Sequence, residues 1–65
     1  MPDEFVTFDH VECTAQTNRA ILVHVDGEKV WIPQSQIHDD SEVWGNGDSG
    51  KLVISEWIAR RKGLL

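Results

Sequence analysis

Apolar and polar residues alternate over residues 20–25, Ala-Ile-Leu-Val-His-Val. In an extended chain Ile21, Val23 and Val25 then share one face, and Ala20, Leu22 and His24 share the other. Asp26-Gly27 follows, a dipeptide that supplies the positive φ a two-residue hairpin turn needs. Residues 29–32, Lys-Val-Trp-Ile, read as the return strand, with Val30 and Ile32 on one side and Lys29 and Trp31 on the other. Pro33 has no N–H to give a ladder, so this strand ends there or lies at a sheet edge. Residues 5–13 are rich in β-branched and aromatic side chains and also read as a strand. Phe5, Val6, Phe8 and Val11 do not fall on one alternating face, which predicts a bulge or a change of phase. Residues 14–18 are polar and read as a connection.

The second half is less periodic. Gln34-Ser35-Gln36 predicts a tight turn that tucks Ile37 into the core. Residues 38–50 are loop-like, with a short strand expected over residues 42–44 and a hairpin turn at Asn46-Gly47 leading into a strand over residues 51–54. Ser55 is suited to cap a helix, and Glu56 stands where the helix dipole favours an anion. Arg60, Arg61 and Lys62 fall in the last turn, where cations are favoured, and Gly63 is placed to end it. Trp57, Ile58 and Leu64 are expected to dock this helix on the sheet. The predicted fold is α+β: a small curled antiparallel sheet of four or five short strands, a partly open barrel, with one C-terminal helix about Ser55–Lys62.

With 65 residues the chain reads as a single domain, 1–65, near the lower limit for folding without staples. Cys13 is the one cysteine, so no intrachain disulfide is possible and a reducing compartment is expected. No apolar run approaches the roughly 18 residues that span a bilayer, and residues 1–4 are acidic rather than signal-like. The expectation is a cytoplasmic protein with no membrane partner. Charge is placed unevenly. Residues 1–48 carry ten acids against Arg19 and Lys29, a balance of −8. Residues 49–65 carry four bases against Glu56, a balance of +3, which brings the chain to −5.

Gly47-Asp48-Ser49-Gly50 spells the tetrapeptide around the nucleophilic serine of chymotrypsin-like proteases. Those enzymes need two barrels to hold serine, histidine and aspartate in register, and this chain cannot build them. Gly45, Gly47 and Gly50, with Asn46, Asp48 and Ser49 bonding locally, predict a turn instead. His10, Cys13, His24 and His38 lack a second paired-ligand motif, so no metal site is expected. An EF-hand loop started at Asp40 would put Trp44 at position five and Lys51 at the closing position, where acids are needed. No cofactor is implied, and no acid, base and nucleophile set converges, so an enzyme is not expected.

The acidic surface remains. Asp26 and Glu28, and Asp40 and Glu42, are i, i+2 pairs, which in extended chain lie ~6.6 Å apart on one face. That is close to the spacing of successive phosphates on a DNA strand. In size and charge the chain resembles the small acidic proteins of phages and mobile elements of the anti-CRISPR kind. The stretches AILVHVDGEKVWIPQSQIHDDSEVW and GKLVISEWIARRKGL are similar in style to such proteins. The resemblance implies a bacterial host and a partner with a basic nucleic-acid-binding surface, a Cas effector subunit being the most specific case. It would be bound by a monomer or weak dimer, which blocks access of DNA by mimicking it. The expected contact residues are Asp26, Glu28, Asp39, Asp40, Glu42 and Asp48, with Trp44 as an apolar anchor. The alternatives are a small barrel that stacks single-stranded nucleic acid on Trp31 and Trp44 beside the basic helix end, or an accessory domain of a larger complex.

Overall fold

The computed structural model describes residues 4–65. Four strands, β1 (Phe5–Gln16), β2 (Ala20–Val25), β3 (Glu28–Pro33) and β4 (Ser49–Ser55), form one antiparallel sheet in the order β3-β2-β1-β4. The sheet is not closed; β3 and β4 are its edges. A 3-10 turn, Gln34–Gln36, follows β3, and one helix, α1 (Glu56–Arg61), follows β4. Among the described residues no helix is long and apolar enough to cross a membrane.

The twelve-residue β1 is the spine, and two bulges explain its broken periodicity. Between Phe8 and Val11 one residue too many faces β4, and His10 takes up the slack with φ 59°. Val6 and Phe8 therefore face the core before the bulge, and Val11 and Cys13 face it after. A second extra residue between Cys13 and Ala15, facing β2, turns Ala15 to the opposite face. The N-terminal part of β1 pairs only with β4 and the C-terminal part with β2, so the sheet coils about it. The strand runs through residues 14–16, beyond the expected end at residue 13.

The predicted hairpin of β2 and β3 is present, with Asp26 (φ 52°) and Gly27 (φ 84°) both in the left-handed region, the signature of a type I′ turn. Ile21, Val23, Val25 and Ile32 are buried as the alternation required. The turn over Gln34–Gln36 does bring Ile37 into the core, where it bridges to Ile54. Ser55 caps α1, its Oγ accepting from Ile58 N (3.3 Å) and donating to Gln36 Oε1 (2.6 Å). Gly63, at φ 74°, ends the helix.

Three expectations are corrected. Residues 42–44 are not a strand, and the turn at Asn46-Gly47, closed by Asp48 N donating to Gly45 O (3.0 Å), does not join two paired strands. The loop instead crosses to β1, where Gly47 N donates to Cys13 O (3.0 Å) and Cys13 N to Asp48 O (2.9 Å). Trp57 does not dock the helix: it is 47% exposed, with the Arg61 guanidinium 5.3 Å from its ring centroid. Ile58 and Ala59 are buried instead, and Leu64 packs against the same core.

Candidate functional site

All seven side chains expected to make contacts, Asp26, Glu28, Asp39, Asp40, Glu42, Trp44 and Asp48, are exposed. They form two groups. Asp26 and Glu28 stand at the turn between β2 and β3. The other five belong to the loop over residues 38–48, which leaves the Ile37–Ile54 bridge, passes Lys51 and ends on β1. In the strand order β1 and β2 lie between the hairpin edge and β4. The loop and the hairpin turn are thus two separate acidic positions.

The phosphate-like spacing of the i, i+2 pairs does not hold, because neither pair is extended. Asp26 is in the left-handed region, and residues 39–40 form a turn closed by Ser41 N donating to His38 O (3.0 Å).

The loop has no regular structure, yet side chains hold it at many points. Asp48 Oδ2 accepts from both Trp44 N and Gly45 N, each at 3.0 Å. Glu42 Oε1 accepts from Lys51 N (2.9 Å), and Gln16 Oε1 accepts from Asn46 N (2.9 Å). Trp44 Nε1 donates to Ser41 O (2.8 Å), which fixes an indole that is still 38% exposed. Buried Ser41 accepts from Val43 N at 3.3 Å, and Val43 is fully buried in the core. Glu42 and Asp48 therefore each commit one oxygen to the loop itself. Asp39 and Asp40 commit neither of theirs to a backbone group.

The acidic charge is poorly compensated. Among the described residues, Glu56 is the one carboxylate held by a basic side chain other than histidine, through Arg60 at 3.1 Å. His38 Nδ1 lies 3.6 Å from Asp40 Oδ2, but the same nitrogen accepts Asp40 N–H at 3.0 Å. It cannot do both: while it accepts the amide it has no proton for the carboxylate. The His38 ring also packs edge-on to Phe5, with centroids 4.5 Å apart.

Ser49 opens β4 opposite Glu12, and its hydroxyl has no hydrogen-bond partner among the described residues. The glycines around it have structural reasons. A Cβ at Gly45 would meet Gln16 Oε1 at 2.6 Å, and one at Gly50 (φ 130°) would meet Glu42 Oε1 at 2.6 Å. His10, Cys13, His24 and His38 are not brought together: no group of three or more potential metal ligands forms among the described residues.

Sequence reasoning missed Gln16, whose partner Asn46 lies far along the chain, and Ser41, which bonds within its own loop to Val43 and Trp44 and across to Lys51 O. It also missed the outer face of β1, β2 and β3. There the register lines up Ala15, Leu22 and Trp31 in one row and Glu12, His24 and Lys29 in the next. None of these six is buried, and Trp31 is 42% exposed. The pleat parity of residues 20–25 and 29–32 already carried half of that signal. Comparison with protein-family models, with characterised proteins and with solved structures finds no match.

Proposed function

We propose that this chain is a non-enzymatic binding protein whose acidic surface occupies the basic, nucleic-acid-binding surface of a protein partner. Its most specific form is an anti-CRISPR-type inhibitor that keeps DNA from a Cas effector complex. The observation that carries this reading is the uncompensated charge: a body of −8 whose contact candidates are all exposed, with the basic side chains of residues 60–62 confined to the helix end. A surface of this kind steers toward lysine and arginine patches and repels phosphate. Asp26, Glu28, Asp39, Asp40, Glu42 and Asp48 supply the charge. Trp44, exposed but fixed by its hydrogen bond to Ser41, supplies an anchor at low entropic cost.

The same features weigh against the stacking alternative. Trp31 lies on the outer face of β3 and Trp44 in the loop that plugs Val43 into the core, so the two indoles belong to different surfaces. Trp44 follows Glu42 closely and gives its amide to Asp48, and Trp31 has Lys29 as its one nearby base in sequence.

The test is binding of the purified protein to isolated Cas effector complexes, at low and high salt, with duplex DNA as competitor. Binding at low salt that is lost at high salt and displaced by DNA is expected. The triple variant Asp39→Asn, Asp40→Asn, Glu42→Gln should bind far less. Unchanged binding by that variant would sink the idea. Quenching of tryptophan fluorescence by single-stranded oligonucleotides alone would move the reading to the stacking alternative.

A further inference from the structure

The edge strand β3 has an inventory that suits one particular partner. In a two-residue type I′ hairpin the residues flanking the turn form a hydrogen-bonded pair, and bonded and non-bonded pairs then alternate. From the register Val25–Glu28, the pairs Val23–Val30 and Ile21–Ile32 bond within the hairpin. Lys29, Trp31 and Pro33 fall in the non-bonded pairs, so their backbone groups point to the free edge. Pro33 has no N–H there, which is why a proline is tolerated in this strand. The open edge therefore offers two donors, from Lys29 and Trp31, and ends at Pro33.

Edge lysines and prolines usually discourage pairing with other strands. Here they select a register. Consider β3 set antiparallel to itself about a two-fold axis through Val30, so that Lys29 faces Trp31 of the second copy and Trp31 faces its Lys29. Every free N–H and C=O of Lys29 and Trp31 is then used, and Pro33 falls beyond the ladder. Shifting the axis to Lys29 sets two like charges opposite each other, which is destabilising. Shifting it to Trp31 sets Lys29 against Pro33, which cannot return a hydrogen bond.

Charge favours the same arrangement. The β2–β3 turn carries Asp26 and Glu28, while the far end of the hairpin carries Arg19, whose carbonyl accepts from Gln34 N (2.8 Å). Antiparallel pairing brings the acidic end of one copy to the Arg19 end of the other, twice. On the outer face each Lys29 ammonium lies beside the exposed Trp31 indole of the other copy, a cation–π contact. On the covered face the two Val30 side chains, each partly exposed now, meet at the axis.

We propose that two copies of this chain associate through β3 in this register, forming one continuous eight-stranded sheet. The loop acids Asp39 and Asp40, beside the opposite edge strand, stay clear on both copies. A six-residue edge buries little area, so the dimer belongs to the weak class.

Sedimentation equilibrium from about 10 µM to about 1 mM should show the 7.4 kDa chain in reversible exchange with a species of twice its mass. Lys29→Pro removes an edge donor without touching the β2 ladder. It should keep the circular dichroism of the parent and weaken association by at least about tenfold. Two cysteine variants decide the register even if the proline variant does not fold. Val30→Cys places two thiols across the axis and should cross-link under mild oxidation. Glu28→Cys places them about 13 Å apart along the strands and should not. Native Cys13 is buried and stays out of the reaction. A chain that remains monomeric to about 1 mM overturns the proposal. So does a folded Lys29→Pro variant that still dimerises, or a Glu28→Cys variant that cross-links as readily as Val30→Cys.

Discussion

Asp48 gives the sharpest test of how the acidic loop is held. Its Oδ2 accepts from Trp44 N and Gly45 N, while its own N–H donates to Gly45 O (3.0 Å) and its carbonyl accepts from Cys13 N. One side chain thus closes the turn that the backbone then fastens to β1. Asp48→Ala removes both side-chain bonds and leaves two amides to water. The geometry is that of a helix N-cap, a carboxylate accepting from exposed backbone amides, whose removal costs about 0.5–2 kcal/mol. Two bonds to an ionised acceptor place the expected loss at about 1–2 kcal/mol, toward the upper end of that range. Asp48→Asn keeps a carbonyl oxygen but no charge, and about half that loss is expected. A chain of this size has roughly 3–10 kcal/mol of stability in all, so either change is easily read. With a urea m-value of about 1 kcal/mol/M, the unfolding midpoint of Asp48→Ala should fall by about 1–2 M. Tryptophan fluorescence follows the transition, and hydrogen exchange at the Trp44 and Gly45 amides reports the turn directly. An unchanged midpoint together with unchanged protection of those two amides would show that Asp48 holds nothing.

Two further outcomes follow from packing. Gly50→Ala should destabilise the fold by about 1–3 kcal/mol, because it combines φ 130° with a Cβ 2.6 Å from Glu42 Oε1. Thermal melts of Gly50→Ala, Glu42→Ala and the double variant separate the terms: Glu42→Ala alone measures the lost bond to Lys51 N, and the coupling that remains in the cycle is the steric part. Trp57→Ala, at an exposed position, should cost less than about 0.5 kcal/mol, while Val43→Ala, fully buried in the loop, should cost about 2 kcal/mol. Urea titrations of the two variants should therefore rank the smaller side chain as the more important one; the reverse order would mean that the helix docks through Trp57 after all.

What was legible in the sequence was local. Residues 20–32 showed their hairpin because strand alternation and the Asp26-Gly27 turn are both written within a few residues. Ser55 and Gly63 marked the helix ends for the same reason. The phase break among Phe5, Val6, Phe8 and Val11 announced a bulge, although not that His10 would carry it. Residues 38–50 were opaque because their partners are distant: Cys13 pairs with Asp48, and Gln16 with Asn46. No local pattern predicts contacts thirty or more residues apart. Asn46-Gly47 does make the turn that its letters suggest, closed by Asp48 N on Gly45 O, but the arms are joined at a few points rather than by a ladder, and the turn is fastened to Cys13 of β1. Trp57 misled through size alone. In a six-residue helix the docking face is settled by one or two side chains, and Ile58 and Ala59 took it. The acids were correctly placed at the surface, but nothing in their order showed that Glu42 and Asp48 would also be structural while Asp39 and Asp40 would not.

That division bears on how a small acidic domain can bind at all. A carboxylate on a mobile loop loses freedom when it meets its partner, and this offsets much of the Coulombic gain. Here the loop over residues 38–48 is already fixed: Val43 in the core, Trp44 on Ser41, Glu42 on Lys51 N, Asp48 on two amides and Asn46 on Gln16. Asp39 and Asp40 stand on a turn within that frame, so their charge is presented with little left to order. On the proposed binding role, Glu42 and Asp48 would act in two ways, through the charge they carry and through the loop they hold, and Asp39 and Asp40 through charge alone. Loss of affinity on neutralising Asp39 and Asp40 measures electrostatics, whereas the same loss at Asp48 measures electrostatics and rigidity together. The Asp39 and Asp40 pair is therefore where a binding role for the acidic surface stands or falls.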